Sequence, residues 1–291
     1  MKIIKYFFEF IIVISLFCLF KLVGIKNASN IGSILGESLG PFFRSKKIIK
    51  ENLKTALGNI SENKQKEIIK GMWSNIGRTF AEYVFLKDFK FNKIKNGHIK
   101  INGTKYLNQI KKLGKPVIFY SGHFANFELM AMELDKSGIR TAAIYRPLNN
   151  FFLNPLMEYL RIKYICPTQI PKGRMGMREI IGRIKNGYSI ALMMDQRVTE
   201  GKKISFFSKP AFTTTIPAQL ALKYNCELVP ISLKRIDNIN FEMTISSPYK
   251  IDKTGNNEQD TKNIILKINQ NLEKMVILNP NQWIWSHNRW K

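Results

Sequence analysis

A chain of 291 residues is long enough for one large α/β domain or two smaller ones, and needs no metal or disulfide to hold its core. Hydrophobic residues make up 45% and charged residues 23%, which excludes wholesale disorder and collagen-like or solenoid compositions. Charge is the departure: 46 Lys+Arg against 21 Asp+Glu leave +25, an excess that implies an anionic partner such as nucleic acid, phospholipid or an acidic protein. Cys18, Cys166 and Cys226, like His98, His123 and His287, are too scattered for a disulfide framework or a zinc box, so a reducing compartment and no metal are expected.

The amino-terminal segment Tyr6 to Ile25 contains an apolar run, Phe10 to Phe20, bounded by Glu9 and Lys21. Eleven uninterrupted residues fall short of the roughly 20 a spanning helix needs, although a snorkelling Lys21 extends the segment towards Ile25. Spanning the bilayer, lying in its interface and packing as a buried core helix are the alternatives. Lys2 and Lys5 imitate a secretory signal, but no small-x-small cleavage site follows Phe20, which favours a retained anchor. Residues 1–25 are therefore expected to be a membrane anchor helix and 26–291 one α/β domain.

Gly32 to Phe43 is a glycine-punctuated apolar segment, and Ser61 opens a helical pattern with Ile68, Ile69, Met72, Trp73, Ile76, Phe80, Tyr83 and Val84 on one face. Basic residues outnumber acidic ones eight to three between Arg44 and Lys70, and nine to one between Lys87 and Lys115. Both are candidate contact faces or simply solvated surfaces. From Tyr106 the pattern alternates. A short helix ended by Gly114 leads to a buried strand, Pro116 to Tyr120; helix 127–136, strand 141–145, helices 152–163 and 177–185, strand 188–194, helix 217–224 and strand 227–233 come next. This alternation predicts a mainly parallel sheet flanked by helices, with ligands outside the carboxyl ends of its strands.

No dinucleotide fingerprint, P-loop or nucleophile elbow is present. Directly after the first buried strand the chain reads Ser121-Gly-His-Phe-Ala-Asn-Phe-Glu128, an H-x4-E pair. Residues five apart stand about 140° from each other around a helix, so the side chains meet only if His123 precedes the helix that carries Glu128. In that arrangement Glu128 is expected to hold one imidazole nitrogen and leave the other as a general base near neutral pH.

Here the sequence resembles the late lipid A acyltransferases of the lauroyl/myristoyl type, the bacterial lipid A biosynthesis acyltransferase family. That family's Gly-His-Phe-x-Asn-Trp-Glu stands here as Gly122 to Glu128, with Phe127 in place of tryptophan; Tyr145-Arg146-Pro147, Asn154-Pro155 and Arg161 come after it. Lys172-Gly173, Arg178, Asn186-Gly187, Asp195-Gln196, the stretch Phe206 to Thr213 and the tail Gln282 to Lys291 continue the match in order, with Ser208 replacing a glycine. The resemblance implies a glycerolipid-acyltransferase-like fold and a fatty acyl chain moved from the phosphopantetheine of acyl carrier protein to a hydroxyl of a lipid A precursor or related glycolipid. His123 and Glu128 would be catalytic, and no separate cofactor is implied.

Arg146 and Arg161 are candidate contacts to substrate phosphates. Asp195 is expected to anchor a cation such as one of these arginines or to cap its loop, and Gln196 beside it is a further candidate substrate contact. The expected partners are acyl carrier protein, anionic lipid and the glycolipid acceptor, at the bacterial inner membrane with the catalytic domain facing the cytoplasm. A competing reading is a non-enzymatic basic protein binding membranes or nucleic acid, but no nucleic-acid motif accompanies the charge.

Overall fold

The computed structural model describes residues 2–94 and 98–290. Residues 95–97, inside the basic stretch 87–115, lie outside the described residues. Helix α1 (Lys2–Val23) is twice as long as the uninterrupted apolar run, because the Lys2 and Lys5 turns join it. Its 22 residues reach about 33 Å, enough for a hydrocarbon core. Most of α1 is exposed, but Phe17 and Phe20 at its carboxyl end are buried, against Phe80. Gly24, at φ +79°, breaks the helix before α2 (Ile25–Phe43).

Helix α3 (Lys46–Leu57) and helix α4 (Glu62–Glu82) come next, each starting where a serine hydroxyl accepts from a first-turn amide: Ser45 from Ile48, and Ser61 from Lys64. Helices α2 and α4 approach backbone to backbone. A Cβ on Gly77 would lie 1.9 Å from the Gly32 carbonyl oxygen, and one on Gly36 would lie 2.2 Å from that of Trp73. The glycine punctuation is thus a packing seam that holds α4 in place.

After the short α5 (Leu86–Lys90) come β1 (Ile99–Asn102), α6 (Thr104–Leu113), β2 (Ile118–Ser121), α7 (Glu128–Lys136) and β3 (Thr141–Tyr145). Beyond them lie α8 (Asn154–Leu160) with a π-helical turn at Arg161–Ile165, β4 (Thr168–Pro171), α9 (Arg174–Lys185) and β5 (Ser189–Met193). The chain continues through β6 (Lys202–Phe206), β7 (Lys209–Thr213), α10 (Ile216–Tyr224), β8 (Leu228–Asp237), β9 (Asn240–Ile245) and α11 (Asn257–Leu278). The expected α/β sheet is present, in the order β1-β9-β8-β2-β5-β3-β4. Its neighbours are parallel except β8 with β9. Central strands are buried on both faces: Ile118 and Tyr120 join one core layer with α9, α10 and α11, and Phe119 joins the other with α6 and α7.

The strands β1, β4 and β9, and the hairpin β6–β7, were not among the predicted elements. The hairpin turns through Phe207 (φ +51°) and Ser208 (φ +58°), a type I′ geometry in which a glycine is at ease and a serine is not. Replacing exposed Ser208 with glycine should stabilise the protein by about 0.5–1 kcal/mol, read as a higher midpoint in thermal unfolding. A midpoint equal to or below wild type would show that the turn carries no such strain.

Candidate active site

The sheet order builds the site. Strand β5 lies beside β2, with Ser121 opposite Met193, and the Met194 amide donates to the Ser121 carbonyl at 2.8 Å. Two residues beyond one strand end and two beyond the other, His123 and Asp195 therefore meet. The His123 amide donates to Asp195 Oδ2 at 2.9 Å, and Nδ1–H donates to Oδ1 at 2.7 Å. Trp283, in the carboxyl-terminal tail, donates its indole Nε1–H to the same Oδ2 at 2.8 Å. Asp195 is buried, whereas the His123 side chain keeps 17% of its surface exposed. With Nδ1 committed to the carboxylate, Nε2 has no partner among the described residues and presents a lone pair outward.

This corrects two expectations. Asp195, not Glu128, fixes the imidazole, and among the described residues the cation that Asp195 can anchor is the His123 imidazolium rather than an arginine. The cause is the turn between the two H-x4-E residues. Ala125 adopts φ +48°, a left-handed conformation unfavourable for a side chain, which folds His123 over the end of β5 while Glu128 opens α7 and faces elsewhere. Glu128 accepts the Tyr83 hydroxyl proton on Oε1. The same oxygen accepts from Arg161 Nη2 at 2.7 Å and Nε at 3.1 Å, and Arg161 also donates to the Tyr83 oxygen at 2.9 Å. Oε2 accepts no hydrogen bond among the described residues. Arg161, expected on substrate phosphate, has Nε and Nη2 engaged in this nearly buried ion pair, and only its buried Nη1 is without a partner.

Electrostatics tie the two pairs together. Burial disfavours the charged imidazole, but the charge and hydrogen bond of Asp195, helped by the Glu128 charge and opposed by Arg161, outweigh it and raise the His123 pKa above 6.5. Burial opposes ionisation of Asp195 as well, yet its bonds to His123 and Trp283 bring its pKa down to about 2. Tyr83, raised well above 10 by burial and then by the Glu128 charge, stays a neutral donor.

Arg146 is exposed and Gln196 half-buried, and neither side chain makes a hydrogen bond among the described residues. Both sit just past strand ends on the rim of the site. Sequence reasoning missed the polar residues that support the turn. Asn75, Thr79 and Glu82 on α4, with Tyr83 just past its end, form a stripe that runs along the H-x4-E turn: Asn75 Nδ2 and Thr79 Oγ1 donate to the Ala125 carbonyl at 3.1 and 3.0 Å. Glu82 Oε2 accepts from Asn126 Nδ2 at 2.9 Å, and Arg235 on β8 pairs with both Glu82 oxygens. The i, i+4, i+7, i+8 spacing of these polar residues beside an apolar face was the available signal. The tail packs as its aromatic stripe led one to expect, and it also braces the site: Asn52 Nδ2 donates to the carbonyls of Trp285 and His287, each at 2.8 Å, and His287 Nε2 accepts from the Arg197 amide at 2.8 Å. Trp283 and Trp285 are buried, so the tail is packing and site scaffold.

An imidazole oriented by a buried carboxylate at the carboxyl edge of a parallel sheet, with an arginine-bound glutamate beside it, is an arrangement able to take a proton from a bound hydroxyl, as a group-transferring α/β enzyme requires. The comparisons with known proteins agree in class and make it specific. The family described as bacterial lipid A biosynthesis acyltransferase matches residues 1–291, and the chain belongs to that family. It is similar to a lipid A biosynthesis acyltransferase of Haemophilus influenzae, 26% identical over 84% of this chain and 76% of that one. It is also similar to the lipid A biosynthesis palmitoleoyltransferase of Escherichia coli, 22% identical over 90% and 84%. The lauroyltransferase of the same organism is 20% identical over 85% and 79%. The chain is therefore an acyltransferase of the lipid A biosynthesis family, with a lipid acceptor.

Proposed function

We propose that the protein transfers a fatty acyl chain from acyl carrier protein to a hydroxyl of a lipid A precursor or related glycolipid, at the cytoplasmic face of a bacterial inner membrane. The observation that carries the reading is the His123 imidazole, held at Nδ1 by Asp195 and open at Nε2. Nε2 removes the acceptor hydroxyl proton as its oxygen attacks the thioester carbonyl. The tetrahedral intermediate then collapses, the carbon–sulfur bond breaks, and the imidazolium returns the proton to the departing thiolate, leaving an ester and free carrier thiol. Asp195 stabilises the imidazolium between the two transfers.

Glu128 contributes through its charge, which favours the imidazolium, and through Oε2, which is free to accept a hydrogen bond from the acceptor. Arg161 holds it in place. No acyl-enzyme is needed, and the donor thioester arrives on its carrier's phosphopantetheine rather than on a resident cofactor. The long exposed apolar α1 supports attachment to the membrane, and the +25 charge suits both anionic lipid and an acidic carrier.

His123→Ala and Glu128→Gln should each lower acyl transfer from acyl-carrier protein to lipid A precursor by about 100-fold or more, measured with full-length protein in membranes, with protein levels unchanged. Transfer at the wild-type rate in both would reject the assignment.

A further inference from the structure

Helix α2 ends on two adjacent phenylalanines that stand out from the surface: Phe42 is 86% and Phe43 75% exposed. Arg44, Lys46, Lys47 and Lys50 come immediately after, all exposed. Acidic residues are scarce here. Glu51 pairs with Lys47 at 4.0 Å, whereas Arg44, Lys46 and Lys50 have no acidic partner among the described residues. The corner is not a loose end, because α3 buries Ile49 and Leu53 and its Asn52 grips the tail at Trp285 and His287. It therefore stands at the rim of the site. His287, whose carbonyl Asn52 holds, accepts on Nε2 from the amide of Arg197, two residues past Asp195, which ties α3 to the catalytic edge.

Exposed apolar side chains recur along that same edge. Leu148 and Phe151 lie beyond β3, and Met175 lies in the first turn of α9 beyond β4. Phe151 meets Tyr6 of α1 edge to face at 5.8 Å, and Asn150 Nδ2 donates to the Tyr6 carbonyl at 2.9 Å. The apolar surface of α1 thus continues into the rim on one side, and the Phe42–Phe43 corner stands at the rim near His287. Apolar rings beside unpaired cations are the composition of a segment that inserts shallowly among anionic headgroups, rings below the interface and cations at it. A single helix would leave the domain free to swing about its anchor, and a second contact removes that freedom.

We infer that the Phe42–Phe43 corner, with Arg44, Lys46 and Lys50, is a second lipid-inserting contact that turns the carboxyl edge of the sheet towards an anionic bilayer. The inference rests on the proposed work at a membrane but adds a site and an orientation to it. Full-length protein tests it. Cys18 is exposed on α1 while Cys166 and Cys226 are buried, so one fluorophore can be placed by Cys18→Ser with Phe43→Cys, or left on native Cys18. A third label at Leu113→Cys with Cys18→Ser reports the opposite, amino-terminal edge, ahead of β2.

In vesicles of phosphatidylethanolamine and phosphatidylglycerol with brominated acyl chains, the Phe43 and Cys18 labels should lose fluorescence by about twofold or more and the Leu113 label should not. Lys46→Glu with Lys50→Glu should largely relieve quenching at position 43 and leave it at position 18, since each cation near an anionic surface favours binding about fivefold. Quenching at Cys18 alone would overturn the second contact and spare the membrane reading. Quenching at neither would remove both. A change at position 43 on adding acyl carrier protein without lipid, with no lipid quenching, would give the surface to an acidic protein and overturn the proposal.

Discussion

Asp195→Asn should lower kcat/KM by about 10³–10⁴-fold while the protein remains folded, because an amide in that place no longer selects the tautomer whose Nε2 is free. The pH profile separates this role from a merely structural one. In the wild type the imidazole pKa lies above 6.5 because Asp195 overcomes burial. In the proposed mechanism the base form is the active one, so kcat/KM should rise with pH through a value above 6.5 and level off beyond it. Without the carboxylate, burial disfavours the imidazolium unopposed except by Glu128, and the same limb should move to lower pH. Residual activity that still rises through the wild-type pH would show that Asp195 does not act on the titrating group, and would return the orienting role to another residue. Above both values the loss persists, because it comes from the tautomer and not from the fraction deprotonated. Glu128→Gln should shift the limb in the same direction but less, since Glu128 acts on His123 through charge alone.

The contrast between these two carboxylates marks how far the sequence reaches. Strand-then-helix alternation was enough to place the sheet and to point at the residues after Tyr120, Tyr145 and Met194, because a buried parallel strand is a continuous apolar run and its end is where that run stops. Position along the chain does not carry pairing across the sheet. His123 and Glu128 are five residues apart and His123 and Asp195 seventy-two, yet the second pair meets because β2 and β5 are neighbours, an order no local pattern announces. The left-handed Ala125 was equally hidden, since alanine has no preference for that region and holds it only because Asn75, Thr79 and the Gln282 carbonyl tie its backbone. Strands β1 and β9 escaped for another reason. Both are at one side of the sheet; β1 buries none of its four side chains fully and β9 alternates half-buried with buried positions, so neither reads as a continuous apolar run.

The buried ion pair behind the turn yields the largest expected change in stability. Glu82 is wholly buried and Arg235 nearly so. Ser29 Oγ and Asn126 Nδ2 donate to the Glu82 carboxylate, each at 2.9 Å, and Arg235 Nε donates to Asn75 Oδ1 at 3.0 Å. Arg235→Met would leave that carboxylate uncompensated in a low-dielectric interior and should cost about 3–5 kcal/mol, read by chemical or thermal unfolding. Adding Glu82→Gln removes the stranded charge, keeps an oxygen to accept from Asn126 and turns its amide NH2 to the Ser29 hydroxyl, which can accept, so the double variant should regain most of the lost stability. Activity should return less completely. Arg235 would no longer brace Asn75 against the Ala125 carbonyl, the left-handed turn would relax, and an ångström of slack between His123 and Glu128 is enough to lower turnover by about 100-fold. Full recovery of both stability and kcat in the double variant would show that the pair holds only the fold; loss of less than about 1 kcal/mol in Arg235→Met would show that the Glu82 charge finds water once its partner is gone.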